Sequence, residues 1–380
     1  MKCIHCGSDT KLRERAASGG RCAACRHPFA FDPRTDGSLV TDGQFLRMIQ
    51  AVSGDGKVRF AARNLWYEMN RRLLRGRFWR SPWGWVAGGS AAGAAGLAAL
   101  GLPNLAPVAL LGVGAAALFS ARARASDQGP DPAFPKVTES EFKKRYLDRW
   151  LAIHGPIETL APAPEPGTVA TRAPALDAGD LGAYSFDRAL VVEHDDIAAM
   201  LVANRFHFEN NCAILTPGGY PHGRFDTVMA MLRKNPSLRV FALHDASVAG
   251  CAMALELRED RWFPAMSVTV VDLGLRPVQA ERMKMRPLGG PTLRVPPQVR
   301  TALREEEVAW LERGWRMELA ALRPAHLMRA VYQGMARAGR ESREEGESDA
   351  APAILFWGYG PGPVFGGDAG ADAGAADSFG

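Results

Sequence analysis

Three groups of residues in this chain have the types and spacings that chemistry requires. The first is Cys3-x2-Cys6, followed after fifteen residues by Cys22-x2-Cys25. Two such knuckles bring four thiolates to one tetrahedral ion, so Cys3, Cys6, Cys22 and Cys25 are expected to hold a structural Zn2+. Glycines at 7, 19 and 20 permit tight bends beside the knuckles. Lys2, Lys11, Arg13, Arg15, Arg21 and Arg26 offer positive charge against the thiolates. No βαβ pattern surrounds either Cys-x-x-Cys pair, which argues against a redox couple. His5 and His27 are close enough to substitute as ligands, but with four cysteines present they are expected beside the metal rather than on it. Cys212 and Cys251 lie far away and read as small buried apolar residues.

The second group sits at the ends of predicted strands. From about residue 185 to 275, apolar runs at 189–192, 213–215 and 240–243 alternate with helical segments near 197–202 and 225–232. That alternation implies right-handed crossovers and a parallel α/β sheet. Ligands of such sheets bind beyond the carboxyl ends of the strands. Located there are Glu193, then Thr216-Pro217-Gly218-Gly219-Tyr220, then His244-Asp245-Ala246-Ser247. Glu193 and Asp245 on neighbouring strand ends can hold Mg2+ through oxygen, with Ser247 as a neutral third ligand. Gly218, Gly219 and His244 are the expected contacts to a phosphate or DNA. Asp195 and Asp196 are expected to cap a helix, and His194, His207 and His222 are scattered without an expected role.

The third group is on a predicted helix. Phe45, Leu46 and Ile49 repeat at helical spacing, a Ser-Gly-Asp-Gly turn covers 53–56, and Leu65, Met69 and Leu73 share a face of a second helix. Two helices meeting at a turn suggest a helical, winged-helix-like module over 42–80. Its second helix carries Arg63, Arg71, Arg72, Arg75, Arg77 and Arg80, which suit DNA phosphates or the inner face of a membrane. Residues 81–121 then contain no charged side chain. Two apolar stretches, 85–102 and 105–121, flank Pro103-Asn104 and are each just long enough to cross a bilayer, so 83–121 is expected to form a transmembrane hairpin. Trp79, Trp83 and Trp85 fit an interfacial belt, and arginines on both sides place both termini in the cytoplasm. Gly89-x3-Gly93 lets the two helices approach closely. The alternative is an Ala/Gly-rich helix pair buried in a soluble core.

These residues carry a resemblance. Val192-Glu193 after a strand, Gly218-Gly219-Tyr220-Pro221, and Asp245-x-Ser247-x-x-Gly250 after a third strand resemble the Toprim domain of the A subunit of type IIB DNA topoisomerases, topoisomerase VI among them, and of the related meiotic double-strand-break proteins. Asp272-Leu273-Gly274-Leu275-Arg276-Pro277 is similar to the segment after that family's acidic strand, and 315–322 with Pro324 to its late helix, whose glutamate is here Glu318. The likeness runs from about 189 to 335. The family places a winged-helix module with a tyrosine nucleophile before the Toprim domain, and Arg63-Asn64-Leu65-Trp66-Tyr67 resembles that helix. What the resemblance implies is transesterification. Tyr67 attacks a DNA phosphodiester, Arg63 supports it one helical turn away, Glu193 is acid or base at the leaving hydroxyl, and magnesium on Asp245 steadies charge. A homodimer in which each tyrosine meets the other subunit's metal, and an ATPase subunit as partner, are implied likewise. Two features depart from the family: Asp-x-Ser stands where it has Asp-x-Asp, and a membrane hairpin separates the two modules.

The whole chain fits this multidomain expectation. Its 380 residues (41.0 kDa) are 47% hydrophobic and 23% charged, which excludes wholesale disorder and allows several domains. A net charge of +5 permits an anionic partner without demanding one. Six cysteines in so long a chain exclude a secreted disulfide scaffold, and the start has no apolar signal core, so the amino terminus is expected in a reducing compartment. The expected order is a zinc ribbon at 1–35, the helical module at 42–80, the hairpin at 83–121 and a linker with a short helix at 122–180. The Toprim-like α/β domain at 185–338 and a disordered Gly/Ala/Asp-rich tail at 339–380 follow. Two alternatives to the DNA enzyme are a catalytically decayed platform and a membrane adaptor that recruits a nucleic acid or protein partner.

Overall fold

The computed structural model of the chain describes residues 1–80, 134–164, 186–235, 238–259, 262–263, 268–283 and 286–344. The expected membrane hairpin lies outside them; among the described residues no helix is long and apolar enough to cross a membrane.

Between the cysteine knuckles runs a short helix, α1 (Leu12–Ala17). Its Arg15 is buried and donates to Asp32 Oδ2 (2.8 Å) and to the Thr10 carbonyl (2.6 Å), so it locks the knuckles to the following segment. The next helix, α2 (Asp42–Ser53), starts where the sequence supplies a reciprocal cap. The Thr41 amide donates to Gln44 Oε1 at 2.9 Å, and the Gln44 amide donates back to Thr41 Oγ1 at 3.4 Å. It ends at Gly54, whose φ of 56° lies in the left-handed region that glycine adopts without strain. A turn leads into α3 (Ala62–Arg80).

The third helix of this unit is the short amphipathic helix expected at 139–153 within the linker. Glu139–Glu141, Phe142–Leu147 and Asp148–His154 form one continuous helix, α4, with wider π-type winding in its middle. Phe142, Tyr146 and Trp150 recur every four residues and are buried against Phe31 and Phe45, so 139–154 belongs to the core and not to a tether.

Four short strands make a parallel sheet: β1 (Arg188–Val192), β2 (Cys212–Leu215), β3 (Arg239–Leu243) and β4 (Thr269–Asp272), in the order β2-β1-β3-β4. Period-two alternation splits each strand between two cores. Leu190, Val192, Ile214, Phe241 and Leu243 face the helical unit; Ala189, Val191, Ala213, Val240 and Ala242 face the other side. Both faces are covered, and for that reason the strands read as unbroken apolar runs in the sequence. Val192 pairs with Leu243 and Ala242 with Asp272, so the ends of β1, β3 and β4 lie level. The order of strand addition reverses between β1 and β3, the place where such sheets open a crevice at their carboxyl edge. Helices α5 (Asp195–Ala203), α6 (Phe225–Leu232) and α7 (Val248–Glu256) follow β1, β2 and β3.

Beyond β4 two expectations change. Residues 315–318 are not helical: Gly314 has φ of 77°, and Met317 pairs with Ala246 in an isolated antiparallel bridge. Only a single tight turn, Leu319–Ala321, precedes α8 (Pro324–Glu344). Proline at the start of α8 fits a first turn, whose amide would have no partner. Helix α8 also continues five residues past 339, where the disordered tail was expected to begin; residues 345–380 lie outside the described residues.

Candidate functional site

At the amino terminus the two knuckles are near copies of one another. Cys3 and Cys22 each accept an amide four residues on, from Gly7 and from Arg26, both at 2.9 Å. Gly7 and Arg26 both have positive φ, 75° and 61°, and each turn is closed by a bridge, Lys2 with Asp9 and Arg21 with Pro28. The four sulfurs converge: Cys3 Sγ lies 3.7 Å from Cys25 Sγ, and Cys6 Sγ 3.6 Å from Cys22 Sγ. A tetrahedral site with Zn–S bonds of about 2.3 Å has sulfur–sulfur edges of about 3.8 Å. The cluster therefore fits a structural zinc ion. Its electrostatics ask for a cation too. Hydrogen bonding by Ser8 lowers the Cys6 thiol and brings Cys22 down to about 5. The His27 amide favours a Cys25 thiolate, yet burial and the neighbouring thiols outweigh it and push Cys25 up to about 12. His5 and His27 stay off the sulfurs and stack on one another at 4.9 Å.

At the carboxyl edge of the sheet, β1 delivers Glu193 and His194 and β3 delivers His244 and Asp245. The two carboxylates are each fixed by one backbone amide. The Asp245 amide donates to Glu193 Oε2 (2.8 Å), and the Leu319 amide donates to Asp245 Oδ1 (2.7 Å). Each keeps one oxygen for the crevice. His194 Nε2 lies 2.8 Å from Asp245 Oδ2 and 4.0 Å from Glu193 Oε1, and these three residues form a group able to hold a metal ion. Burial, and then the negative charge of Asp245, raise the Glu193 pKa. Burial opposes protonation of His194, but the Asp245 carboxylate outweighs it and raises the ring's pKa.

Beneath these groups lies a buried ion pair. His244 is fully buried; its Nδ1 faces the Asp245 carbonyl at 2.8 Å and its Nε2 faces Asp272 Oδ1 at 3.0 Å. Burial disfavours the imidazolium, but Asp272 outweighs it and raises His244; in return His244 overcomes the burial of Asp272 and lowers it to about 2. Two glycines make room for this floor. A Cβ on Gly250 would lie 2.4 Å from the Asp245 carbonyl and 2.7 Å from Glu193 Oε2, and one on Gly274 would lie 2.2 Å from the His244 ring.

Helix α3 covers the crevice from the other side. It is fastened at several points: Asn64 Nδ2 donates to the carbonyls of Ala320 (2.9 Å) and Leu322 (3.1 Å), and Trp66 Nε1 to the carbonyl of Val137 (2.7 Å). Just before it, Asn204 at the end of α5 exchanges two 2.8 Å hydrogen bonds with the Arg59 backbone. Arg63 then reaches into the α/β unit, donating through Nε (2.7 Å) and Nη2 (2.6 Å) to Asp196 and through Nη1 (3.3 Å) to Glu318. Burial works against its charge, but the two carboxylates raise its pKa further. Tyr67, one turn later, is 6% exposed, and its hydroxyl is buried beside Glu318 without a well-aligned hydrogen bond. Burial, then the negative charges of Glu318 and Asp245, push the phenol well above its ordinary range. Burial and Asp245 raise Glu318 as well, against the pull of Arg63.

The structure thus brings Arg63, Tyr67, Glu193 and Asp245 to one locale and gives four expected residues other partners. Ser247 is the N-cap of α7, its Oγ accepting from the Gly250 amide at 2.9 Å, so it serves the helix and not the expected magnesium. His244 is spent on Asp272 and the floor, and does not face a phosphate. The Gly219 amide donates to the Thr216 carbonyl (3.0 Å), and a Cβ on Gly218 would meet Asp195 Oδ1 at 3.1 Å, so that loop backs onto an acid and is no phosphate cradle. Asp195 is no cap, accepting from Thr216 Oγ1 (2.5 Å) and lying 3.2 Å from His222, whereas Asp196 accepts the first-turn Ile197 amide (2.9 Å) and also holds Arg63. His194, Asp196 and Asp272 are the site residues that the sequence did not single out. Comparison of the chain with protein families, with curated proteins and with solved structures finds no match.

Proposed function

We propose that the chain is a Toprim-like, membrane-tethered protein that acts on DNA by cation-dependent tyrosine transesterification, as its resemblance to the topoisomerase VI A subunit implies. The observation that carries this reading is the docking of α3, which sets Tyr67 at the crevice of its own chain where the resemblance implies that of a partner subunit. Arg63 and Tyr67 meet Asp196, Glu318 and the field of Asp245 across more than a hundred residues of chain. In the reaction Tyr67 Oη bonds to phosphorus and the bond to the leaving hydroxyl oxygen breaks. The phenolic proton passes to Glu318, and solvent supplies the proton taken up by the leaving oxygen, because Glu193, once it shares a cation with Asp245, is ionised. A dication held by Glu193 and Asp245 would offset charge on the phosphoryl oxygens. Arg63 would exchange one of its carboxylates for the phosphate, so the arrangement described here is the closed form of the site, and α3 shifts to admit DNA. The hairpin at 83–121 would hold this site at the cytoplasmic face of a membrane.

A specific observation favours a second reading, a non-catalytic platform: the hydroxyl at 247 is committed to a helix cap, and the tyrosine is sealed from solvent. The two separate in one experiment. Full-length protein is incubated with end-labelled DNA in Mg2+ or Mn2+, with nuclear or cell extract supplying any ATPase partner, and then denatured. A labelled covalent adduct that disappears in Tyr67→Phe supports the transesterase. DNA bound without adduct in every condition supports the platform.

A further inference from the structure

The three crevice-facing donors are not the all-oxygen set that magnesium takes. Glu193 Oε1 and Asp245 Oδ2 are the carboxylate oxygens that backbone amides leave, and the third donor is an imidazole nitrogen, His194 Nε2, which shares a 2.8 Å hydrogen bond with Asp245 Oδ2 whose proton an ion would displace. Their separations suit one ion. For bonds of about 2.1 Å in an octahedron, neighbouring donors lie about 3.0 Å apart and opposite donors about 4.2 Å. Nε2 is 2.8 Å from Asp245 Oδ2 and 4.0 Å from Glu193 Oε1, the spacing of a neighbouring and an opposite vertex. A second observation lies across the crevice: the Tyr67 hydroxyl, buried beside Glu318 without a well-aligned hydrogen bond and in the field of Asp245. A polar group left unsatisfied in a buried position costs stability, and such groups persist where a ligand completes them. Magnesium prefers oxygen and keeps its waters, whereas first-row transition dications accept imidazole readily.

We propose that Glu193, His194 and Asp245 form a mixed nitrogen–oxygen site that selects a transition-metal dication over magnesium. The proposal rests on the cation-dependent reading above and specifies its ion. His194 is the discriminating ligand: it takes the place that the sequence left to the hydroxyl of Ser247, and it is a third exposed, so an ion can reach it.

The test uses full-length protein with zinc already bound to the cysteine cluster, and Mn2+ as the probe. Free hexaaqua Mn2+ is followed by electron paramagnetic resonance, and the bound ion by spin-echo modulation. The expected result is one Mn2+ per chain that a tenfold excess of Mg2+ does not displace, with modulation from a directly coordinated 14N. Labelling the protein with 15N-histidine replaces that modulation by the 15N pattern without altering any side chain. His194→Asp, which restores an all-oxygen set, abolishes the nitrogen modulation and lets Mg2+ compete at least tenfold better. Mn2+ that fails to bind, binds without nitrogen coupling, or is displaced by equimolar Mg2+ overturns the proposal. A Tyr67–DNA adduct formed in Mg2+ beside a nitrogen-free Mn2+ signal would overturn the nitrogen ligand and leave the transesterase standing. Nitrogen-coupled Mn2+ in a protein that never forms an adduct would do the reverse.

Discussion

The chain carries two clusters of ligand-type side chains, and they are built in opposite ways. In the cysteine cluster all four donors come from 23 consecutive residues, two turns of the same form repeated, and the small core around them consists of Cys3, Cys22 and Phe29 with Met1 and Cys25. In the crevice, donors and their supports come from α3, β1, α5, β3, β4 and the turn at 319, held over the large core shared by the helical unit and the sheet. The first cluster has little apolar burial to stabilise it without metal. The second has its carboxylates fixed by backbone amides and its floor fixed by a buried ion pair, so it is organised before any ion arrives. Metal would be part of the fold at one site and a visitor at the other.

The largest effect should come from removing a cysteine. Zinc binding to a structural site contributes on the order of 10 kcal/mol to folding of the unit that holds it. Cys22→Ser is expected to reduce bound zinc from one per chain to none and to abolish amide-exchange protection over the knuckles, with protection of β1 and β3 retained. Loss of protection in the strands as well would break the contrast between the sites. Next is the floor of the crevice. His244→Asn leaves Asp272 as a partly buried, unpaired carboxylate and should cost about 4 kcal/mol, read by denaturant titration. The pH dependence follows from the two shifts. His244 is raised, so its contribution is complete below its ordinary 6.5 and is lost as pH climbs through the raised value. Asp272 is lowered from 3.8 to about 2, so its contribution is complete above the ordinary value and is lost as pH falls through about 2. The pair should be at full strength between pH 3.8 and 6.5, and His244→Asn should flatten the decline on the alkaline side. Arg63→Ala should cost about 3 kcal/mol by stranding Asp196 and leaving Glu318 only the longer pairing with Arg316 (3.8 Å). It should also loosen α3, seen as faster exchange of the Tyr67 amide.

What could be read in advance follows the same division. The cysteine spacing declares its site because the whole of it is local. The strands are legible too: runs at 189–192, 213–215 and 240–243 are within one residue of the observed β1, β2 and β3 at either end, since two-sided burial leaves no polar residue to blur them. Glu193 and Asp245 could be named from their places at adjacent strand ends. Their companions could not, because Arg63 finds Asp196 133 positions away and Glu318 255 positions away, and no periodicity reports such pairings. Ser247 looked like a ligand because it stands two residues after Asp245, but the same place is the start of α7, where a hydroxyl caps the helix. The helix at 139–154 is legible as an amphipathic segment, with Phe142, Tyr146 and Trp150 at intervals of four, but which core its apolar stripe joins is set by Phe31 and Phe45 far away in sequence. Gly250 and Gly274 look like ordinary loop and helix glycines until the His244 ring and the Glu193 carboxylate are in place against them.

The smallest effect in energy is the most informative in sign. Tyr67→Phe removes a buried hydroxyl that lies beside Glu318 without a well-aligned hydrogen bond, so the folded protein loses little and is relieved of a desolvated oxygen. The variant should be more stable than the parent by about 1 kcal/mol, measured as a later denaturant midpoint at unchanged slope. Most substitutions of buried aromatic residues destabilise, so a gain would identify a hydroxyl kept at a cost to the fold, as groups that act on a ligand often are. A loss of more than about 1 kcal/mol would mean that the hydroxyl has a partner in the resting protein, and the closed form of the crevice would then have to be redrawn around it. The ring itself should be indifferent, since Tyr67 packs edge-on against Trp66 at 4.5 Å and phenylalanine preserves that contact. Stability gained together with loss of the DNA adduct would separate what this helix does for the fold, through Asn64, Trp66 and Arg63, from what its buried hydroxyl is there to do.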